Sequence, residues 1–231
     1  VFCDNEAECA KLLIDRAHEW KPDFISIWNM NYDLKKIDEV FKKYNYDSAR
    51  IFSDPAVPDV FCKWKYKEGK TQKVTQSGKT TGLHPADRWH IAECPASFYF
   101  IDAMCLYKRI RLAAGMVSSY SLDATLKRHL GIGKLNFADV DKLNGTAWHK
   151  EMQTSYRVEY CIYNIFDNIG QELLDEKTGD INKSFTALVG VSDFDKFNSN
   201  PRRIVDDLHF FCLDHGLVIS ATPDDVKHEL D

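Results

Sequence analysis

Two short motifs of this 231-residue chain place a carboxylate where it could take part in chemistry. The first, Asn29 to Asp33 (NMNYD), directly follows the apolar run FISIWN, which predicts a short buried strand. In an open α/β sheet, ligands gather beyond the carboxyl ends of the strands. Asp33 is therefore a candidate metal ligand. The alternative interpretation is a loop aspartate that caps the helix predicted from Leu34.

The second motif, Tyr163 to Asp167 (YNIFD), lies within a long predicted helix. Tyr163 and Asp167 are four residues apart and therefore share one face of that helix. A phenol beside a metal-ligating carboxylate can orient a water molecule for attack. The alternative is an ordinary polar pair on a helix face.

The elements around these motifs indicate a mixed α/β protein, because helix, strand and helix alternate at the start of the chain. Asp4 or Asn5 can cap the first helix, which Lys21-Pro22 ends. The predicted helices cover residues 4–21, 34–44, 104–115, 121–131 and about 146–176, and the predicted strands cover residues 24–29 and 96–102. Residues 198–220 predict a helix that feeds a strand.

Residues 60–78 predict a β-hairpin with a basic face, since hydrophobic and lysine residues alternate around Glu68-Gly69. Residues 63–89 carry seven Lys or Arg against two acidic residues, whereas residues 171–231 carry six basic and thirteen acidic residues. The net charge of −5 therefore does not exclude a nucleic-acid partner, because phosphates respond to local positive charge.

Composition argues against membrane and secreted proteins. No apolar run approaches the roughly 18 residues of a membrane span, and the first residues lack the basic and apolar regions of a signal peptide. The seven cysteines form no C-x-x-C motif, which favours a reducing compartment and a cytoplasmic location.

The combination of motifs resembles the 3′→5′ exonuclease domain of family B DNA polymerases, with the strongest similarity to the replicative enzymes of tailed phages. Asn29, Tyr32 and Asp33 fit the second exonuclease motif of that family, N-x₂₋₃-(F/Y)-D. Tyr163 and Asp167 fit the third motif, Y-x₃-D. The similarity extends over essentially the whole chain.

Two further family elements lie between these motifs, in the expected order. Ser121-Leu122 fits the (S/T)-L-x-x-h element that contacts single-stranded DNA, although Thr125 occupies its hydrophobic position. Lys134 to Phe137 fits the K-x-x-h element. The hairpin at about residues 60–78 lies where phage members carry a hairpin used in strand separation.

The resemblance implies an α/β fold of the ribonuclease H type, a mixed sheet flanked by helices, with residues 1–180 as part of the exonuclease domain. Residues 181–231 would begin the polymerase palm. The implied partners are the single-stranded 3′ terminus, primer-template DNA, the rest of the polymerase chain and a sliding clamp. The resemblance favours a viral protein that acts in the cytoplasm of a bacterial host.

The resemblance also implies the roles of individual residues. Asp33 and Asp167 would be the carboxylates of a site for two Mg²⁺ or Mn²⁺ ions. Tyr163 would orient the nucleophile, and Lys134 would stabilise charge on the phosphate. The implied DNA-binding residues are Asn29, Tyr32, Ser121, Leu122, Phe137, Lys63, Lys65 and Lys67.

The first exonuclease motif of the family, D-x-E on a strand, has no counterpart before Asp33. Asp4-x-Glu6 has the right letters, but it opens a helix, so we interpret Asp4 as a cap. The two catalytic motifs of the palm are also missing. We therefore expect a fragment of a polymerase that lacks one set of metal ligands and is nearly inactive as a nuclease by itself.

Two other classes of function remain open. One is a non-catalytic module that binds single-stranded DNA and has a ribonuclease H-like fold. The other is a zinc module built from Cys62, His84, His90 and Cys94, whose spacings match no standard zinc finger.

Overall fold

The computed structural model describes residues 3–112, 115, 117–137, 140, 142–184 and 200–218. The chain divides into two compact units, residues 1–184 and 185–231. Every candidate site residue named above belongs to the first unit. The assignment of the two parts to an exonuclease domain and a palm stays a prediction.

The first unit is a mixed α/β structure that is mostly helical. Its helices are α1 (Glu6–Trp20), α2 (Met30–Lys43), α3 (Ser48–Phe52), α4 (Ala103–Ile110), α5 (Leu122–Leu130), α6 (Gly145–Ser155), α7 (Arg157–Thr178) and α8 (Asp180–Ser184). Its strands are β1 (Phe24–Ile27), β2 (Lys65–Lys67), β3 (Gln72–Val74), β4 (Thr80–Gly82), β5 (Ile91–Glu93) and β6 (Tyr99–Asp102). They form three two-stranded sheets in the described part of the chain.

One pair of strands in this unit is parallel, as strands in α/β proteins often are. β1 and β6 are parallel, with Phe24 opposite Tyr99 and Ile27 opposite Asp102. Their carboxyl ends therefore lie at the same edge, where β1 leads into α2 and β6 leads into α4. The motif that contains Asp33 begins at this edge.

The hydrophobic core lies beside this pair of strands and is rich in aromatic rings. Phe41 and Phe52 are fully buried, and Phe100 is 2% exposed. The Trp64 ring stacks on the Phe52 ring with 3.7 Å between centroids. Because Trp64 belongs to the segment that leads into β2, this contact anchors the basic segment to the core.

The predicted hairpin centred on Glu68-Gly69 is wrong. β2 pairs with the distant strand β5, and the hairpin that does form joins β3 to β4 through residues 75–79. A Cβ atom at Gly69 would lie 2.6 Å from the backbone of Arg88, so the close approach of that backbone accounts for this glycine. Glu68-Gly69 therefore has the residue types of a turn without being the turn of a hairpin.

Three helix boundaries also differ from the predictions. α2 begins at Met30 rather than Leu34, so Asp33 lies in its first turn rather than in a loop. The helix after β6 ends at Ile110 rather than near residue 115. The long helix predicted from about residue 146 to 176 is two helices, α6 and α7, which meet at Tyr156 and pack against each other.

Other boundaries are confirmed. The predicted start of α1 is confirmed, but the interpretation of Asp4 as its cap is wrong, because Asn5 is the residue whose side chain accepts a hydrogen bond from a backbone N–H of the helix. Ser121 caps α5, Gly131 ends it with a positive φ of 71°, and Gly179 ends α7 with a φ of 63°. These glycines adopt a backbone conformation that costs other residues free energy.

The second unit contains the predicted helix, α9 (Asn200–Asp214). Of the strand predicted after it, residues 217 and 218 are not in a strand, and residues 219 and 220 lie outside the described residues. In the described ranges, no helix combines the length and the hydropathy needed to cross a membrane.

Candidate functional site

Lys134 connects two of the sequence motifs. Its ammonium group donates one hydrogen bond to the Asp167 carboxylate and another, of 3.0 Å, to the Tyr163 hydroxyl. Burial disfavours the charged lysine, but these hydrogen bonds outweigh it and raise the pKa of Lys134 above its ordinary value. Lys134 is therefore a permanently charged ammonium at the pH of a cell.

The carboxylate of Asp167 is only half satisfied. Lys134 contacts Oδ2, whereas Oδ1 is buried and has no hydrogen-bond partner. A buried carboxylate oxygen without a partner loses the free energy of its hydration. Such an atom marks a position where a cation or a water molecule would be stabilising.

Asp33 lies on the first turn of α2, where the helix dipole favours a negative charge. Water reaches its side chain, but the protein around it partly desolvates the carboxylate and raises its pKa. The ammonium of Lys134 opposes that shift. The charge of Lys134 thus acts on both Asp33 and Asp167, the two aspartates that the sequence predicts at one site.

Lys134 is held by its backbone as well as by its side chain. Its N–H donates a 2.8 Å hydrogen bond to Oδ1 of Asp123 in the first turn of α5, and the other oxygen of Asp123 pairs with Lys127 at 2.7 Å. A Cβ atom at Gly133 would lie 2.5 Å from the Lys127 side chain. A side chain at residue 133 would therefore displace the end of the Lys127 side chain, which pairs with Asp123.

Asp102 fixes the start of α2 relative to the strands. It is 1% exposed, and its two oxygens accept hydrogen bonds from the backbone N–H groups of Met30 at 3.1 Å and Cys105 at 3.0 Å. Burial raises the pKa of Asp102, although these hydrogen bonds oppose the shift. One carboxylate thus caps α4 and tethers the turn that leads to Asp33.

α7 is held against β1 and α5 near Asp167. The Gln171 amide donates to both the carbonyl and the hydroxyl oxygen of Ser26, each at 2.9 Å. A Cβ atom at Gly170 would lie 3.0 Å from the buried side chain of Leu126. The absence of a side chain at Gly170 therefore lets α5 approach α7 one turn after Asp167.

The donors present suit one cation rather than two. Asp33 and Asp167 supply carboxylates, and the unpartnered oxygen of Asp167 fits a hard ion such as Mg²⁺ or Mn²⁺. Across the part of the chain that the structure describes, no three His, Cys, Asp or Glu side chains form a metal-binding group. A site for two ions would need ligands beyond Asp33 and Asp167, which is why the sequence predicts an incomplete site.

The Asp4-x-Glu6 motif, an alternative source of metal ligands, makes other contacts. Glu6 of the Asp4-x-Glu6 motif pairs with Lys43 at 2.7 Å and accepts from the Tyr44 hydroxyl, which lowers the pKa of Glu6 to about 2. These contacts hold α1 to α2. Glu6 is therefore not a member of the Asp33 site.

The zinc module is also not supported. Cys62 contacts the Arg50 guanidinium at 2.9 Å, and the Nδ1 atoms of His84 and His90 accept backbone N–H groups. Burial raises the pKa of the Cys94 thiol to about 12, which disfavours the thiolate that zinc requires.

The residues predicted to line the DNA path differ in accessibility. Asn29, Tyr32 and Ser121 are exposed, and Phe137 is half-buried. Leu122 is different, because it is only 7% exposed and packs in the core between α5 and α7. The burial of Leu122 opposes the predicted contact of its side chain with DNA.

The predicted alternation of the basic segment is confirmed, although its hairpin is not. Lys63, Lys65 and Lys67 are exposed, while Trp64 and Tyr66 point inwards. Lys63 pairs with Glu93 at 2.8 Å, so part of its charge is already balanced. The basic face therefore consists mainly of Lys65 and Lys67 and is smaller than the sequence indicates.

Sequence reasoning missed the residues that position this site and a group of aromatic rings beside it. Asp102 had the signal of a cap, since it directly precedes a predicted helix. Asp123 had only the signal of an acidic residue in the first turn of a helix, where the helix dipole favours it. The aromatic residues Trp148 and Tyr160 carried no such signal, because their proximity depends on the contact between α6 and α7.

Comparison of the chain with protein-family models and with curated proteins finds no match.

Proposed function

We propose that residues 1–184 belong to the 3′→5′ exonuclease region of a family B DNA polymerase that takes part in DNA replication. The reaction would remove nucleotides from the 3′ end of a single strand by hydrolysis of the terminal phosphodiester. The observation that carries this proposal is the network of Lys134, Tyr163 and Asp167. The lysine is 29 residues from the tyrosine and 33 from the aspartate, yet all three side chains meet.

The network gives each side chain a defined task. Lys134 can neutralise the negative charge that develops on the scissile phosphate, which a fixed ammonium does well in a partly buried site. Because the Tyr163 oxygen accepts a hydrogen bond from Lys134, its own proton remains available to donate. That proton can hold a water molecule beside Asp167, in position for attack.

Asp33 and the free oxygen of Asp167 would hold one Mg²⁺ or Mn²⁺ ion, which would supply Lewis-acid activation of the phosphate when bound. The family uses two ions and an additional D-x-E motif. In this proposal, that motif lies elsewhere in the polymerase. With one set of donors, we expect the 231-residue chain to cleave DNA slowly.

The proposed partners follow from the same reaction. They are the single-stranded 3′ terminus, primer-template DNA, the rest of the polymerase and a sliding clamp. Exposed Lys65 and Lys67 would contribute electrostatic attraction to phosphates. We propose that the protein is a viral enzyme that acts in the cytoplasm of a bacterial host.

The test is digestion of a 5′-labelled single strand in Mn²⁺. We expect slow, stepwise shortening from the 3′ end that Asp167→Ala abolishes. Glu172→Gln is the matched control, because Glu172 is an exposed acidic residue of the same helix and we expect no change in rate. Equal shortening by the Asp167→Ala variant, or internal cuts, would overturn the proposal. No shortening at all would favour the non-catalytic DNA-binding module.

A further inference from the structure

A group of aromatic side chains lies beside Lys134, at the contact of α6 with α7. We call it the aromatic platform, and its members are Trp148, His149, Tyr160 and Tyr163. The Trp148 ring is 5.0 Å from the Tyr163 ring and 6.0 Å from the Tyr160 ring, centroid to centroid. The Tyr160 and Tyr163 rings are nearly parallel, with 4° between their planes.

The platform is fixed in orientation but remains accessible. Nδ1 of His149 and the Tyr160 hydroxyl are 3.0 Å apart, within hydrogen-bond distance, and the rings of Trp148 and His149 are 4.9 Å apart. Trp148, Tyr160 and Tyr163 are half-buried, and His149 is exposed. Rings that served only to join α6 to α7 would gain most by complete burial. These rings instead present aromatic surface to solvent.

The Lys134 ammonium adjoins this surface, although its ion pair with Asp167 already balances part of its charge. The Lys134 ammonium lies 5.0 Å from the centre of the Tyr163 ring and 3.0 Å from its hydroxyl. A ligand that combines a flat π system with a nearby phosphate would match both features. Single-stranded nucleic acid is such a ligand, since its unstacked bases bind aromatic rings regardless of sequence and its phosphates bind cations.

We propose that the aromatic platform stacks an unpaired base of a single strand whose phosphate approaches Lys134, with Trp148 as the principal stacking residue. This inference rests on the proposed function and extends it to residues outside the sequence motifs. It gives the site tolerance for any base, because every base has a π face. Trp148 and Tyr160 are binding residues here, and neither has a role in the chemical step.

The test is the affinity of the full 231-residue chain for fluorescently labelled dT₁₂, measured by anisotropy in EDTA so that metal ions play no part. Stacking of one base contributes about 1–3 kcal/mol, so Trp148→Leu should weaken binding by about 5- to 150-fold. Trp148→Phe keeps an aromatic face and should stay within about threefold of the wild type. Trp20→Leu is the matched control, since Trp20 is 76% exposed on α1 and should leave affinity unchanged.

A second substrate separates stacking from damage to the fold. An oligonucleotide of the same length and charge with abasic sites offers phosphates without bases, so the wild type and Trp148→Leu should bind it equally. Equal affinity of both proteins for dT₁₂ would overturn the inference, and so would an equal loss for the abasic strand. Failure of the exonuclease proposal is judged separately, by Asp167-dependent cleavage in Mn²⁺.

Discussion

Removal of the Asp102 carboxylate should disturb the fold and the site together. Asp102 is almost completely buried, and each of its oxygens serves a different helix. Oδ2 accepts the N–H of Met30 at the start of α2, and Oδ1 accepts the N–H of Cys105 in α4. Asp102→Ala leaves both donors without a partner, whereas Asp102→Asn keeps one acceptor oxygen.

The magnitude follows from that count of donors. A buried N–H without a partner costs about 1–3 kcal/mol. Asp102→Ala leaves two such groups, so it would lower the free energy of unfolding by about 2–6 kcal/mol. Burial raises the pKa of Asp102, which means that the buried carboxylate is itself unfavourable. Its removal therefore offsets part of the loss. We therefore expect a net loss of about 2–4 kcal/mol for Asp102→Ala and about half of it for Asp102→Asn.

The assay is urea unfolding at pH 7, followed by tryptophan fluorescence and circular dichroism. A second series at lower pH tests the sign of the linkage. Burial raises the pKa of Asp102 in the folded state above its value in the unfolded chain, which is near 3.8. The protonated carboxyl therefore stabilises the folded state at a pH below 3.8, and this stabilisation is lost as the pH rises through the pKa of the folded state. The deficit of Asp102→Asn relative to the wild type should therefore shrink from pH 4 to pH 7. A loss below about 1 kcal/mol for Asp102→Ala, or equal losses for both variants, would refute the reasoning.

Two further predictions concern the basic segment and a buried histidine. Replacement of the exposed Lys65, Lys67 and Lys73 by Ala should lower the salt slope of single-strand binding by about 2, since each phosphate contact contributes about 0.7; an unchanged slope would contradict a role in DNA binding. Burial lowers the pKa of His90, whose Nδ1 accepts a backbone N–H, so stability should fall as the pH drops below about 6.5. Urea midpoints at pH 7.5 and 5.5 should differ more for the wild type than for His90→Gln, and equal differences would contradict this assignment.

Local sequence patterns predicted the elements whose ends are marked by local chemistry. Ser121 and Gly131 bracket α5 because a cap depends on residues within one turn, and the start of α1 was predicted to within one residue, at Asp4 rather than Asn5. The start of α2 could not be read in this way. It depends on a hydrogen bond from Met30 to Asp102, 72 residues further along the chain.

The basic hairpin shows the same limit. Glu68-Gly69 has the letters of a turn, but β2 pairs with β5, more than 20 residues away. The glycine serves the close approach of the Arg88 backbone instead. Pairing between distant strands depends on the packing of Trp64 and its neighbours, which no local window contains.

The candidate site was predictable as a set of residues but not as a geometry. The motifs indicated Lys134, Tyr163 and Asp167, and the structure brings these three side chains into contact. The support from Asp123 and the aromatic platform depends on how α5, α6 and α7 pack, which sequence spacing does not contain. Leu122 shows the converse, since a residue of the motif lies in the core.

The proposed function requires that Asp33 and Asp167 hold the same cation. Mn²⁺ affinity of the wild type, Asp33→Asn, Asp167→Asn and the double variant, measured by electron paramagnetic resonance, tests it directly. If both carboxylates bind one ion, each single change should weaken binding by about tenfold or more, and the double variant should lose much less than the sum of the two free-energy changes. Strictly additive losses, or wild-type affinity in either single variant, would contradict the account.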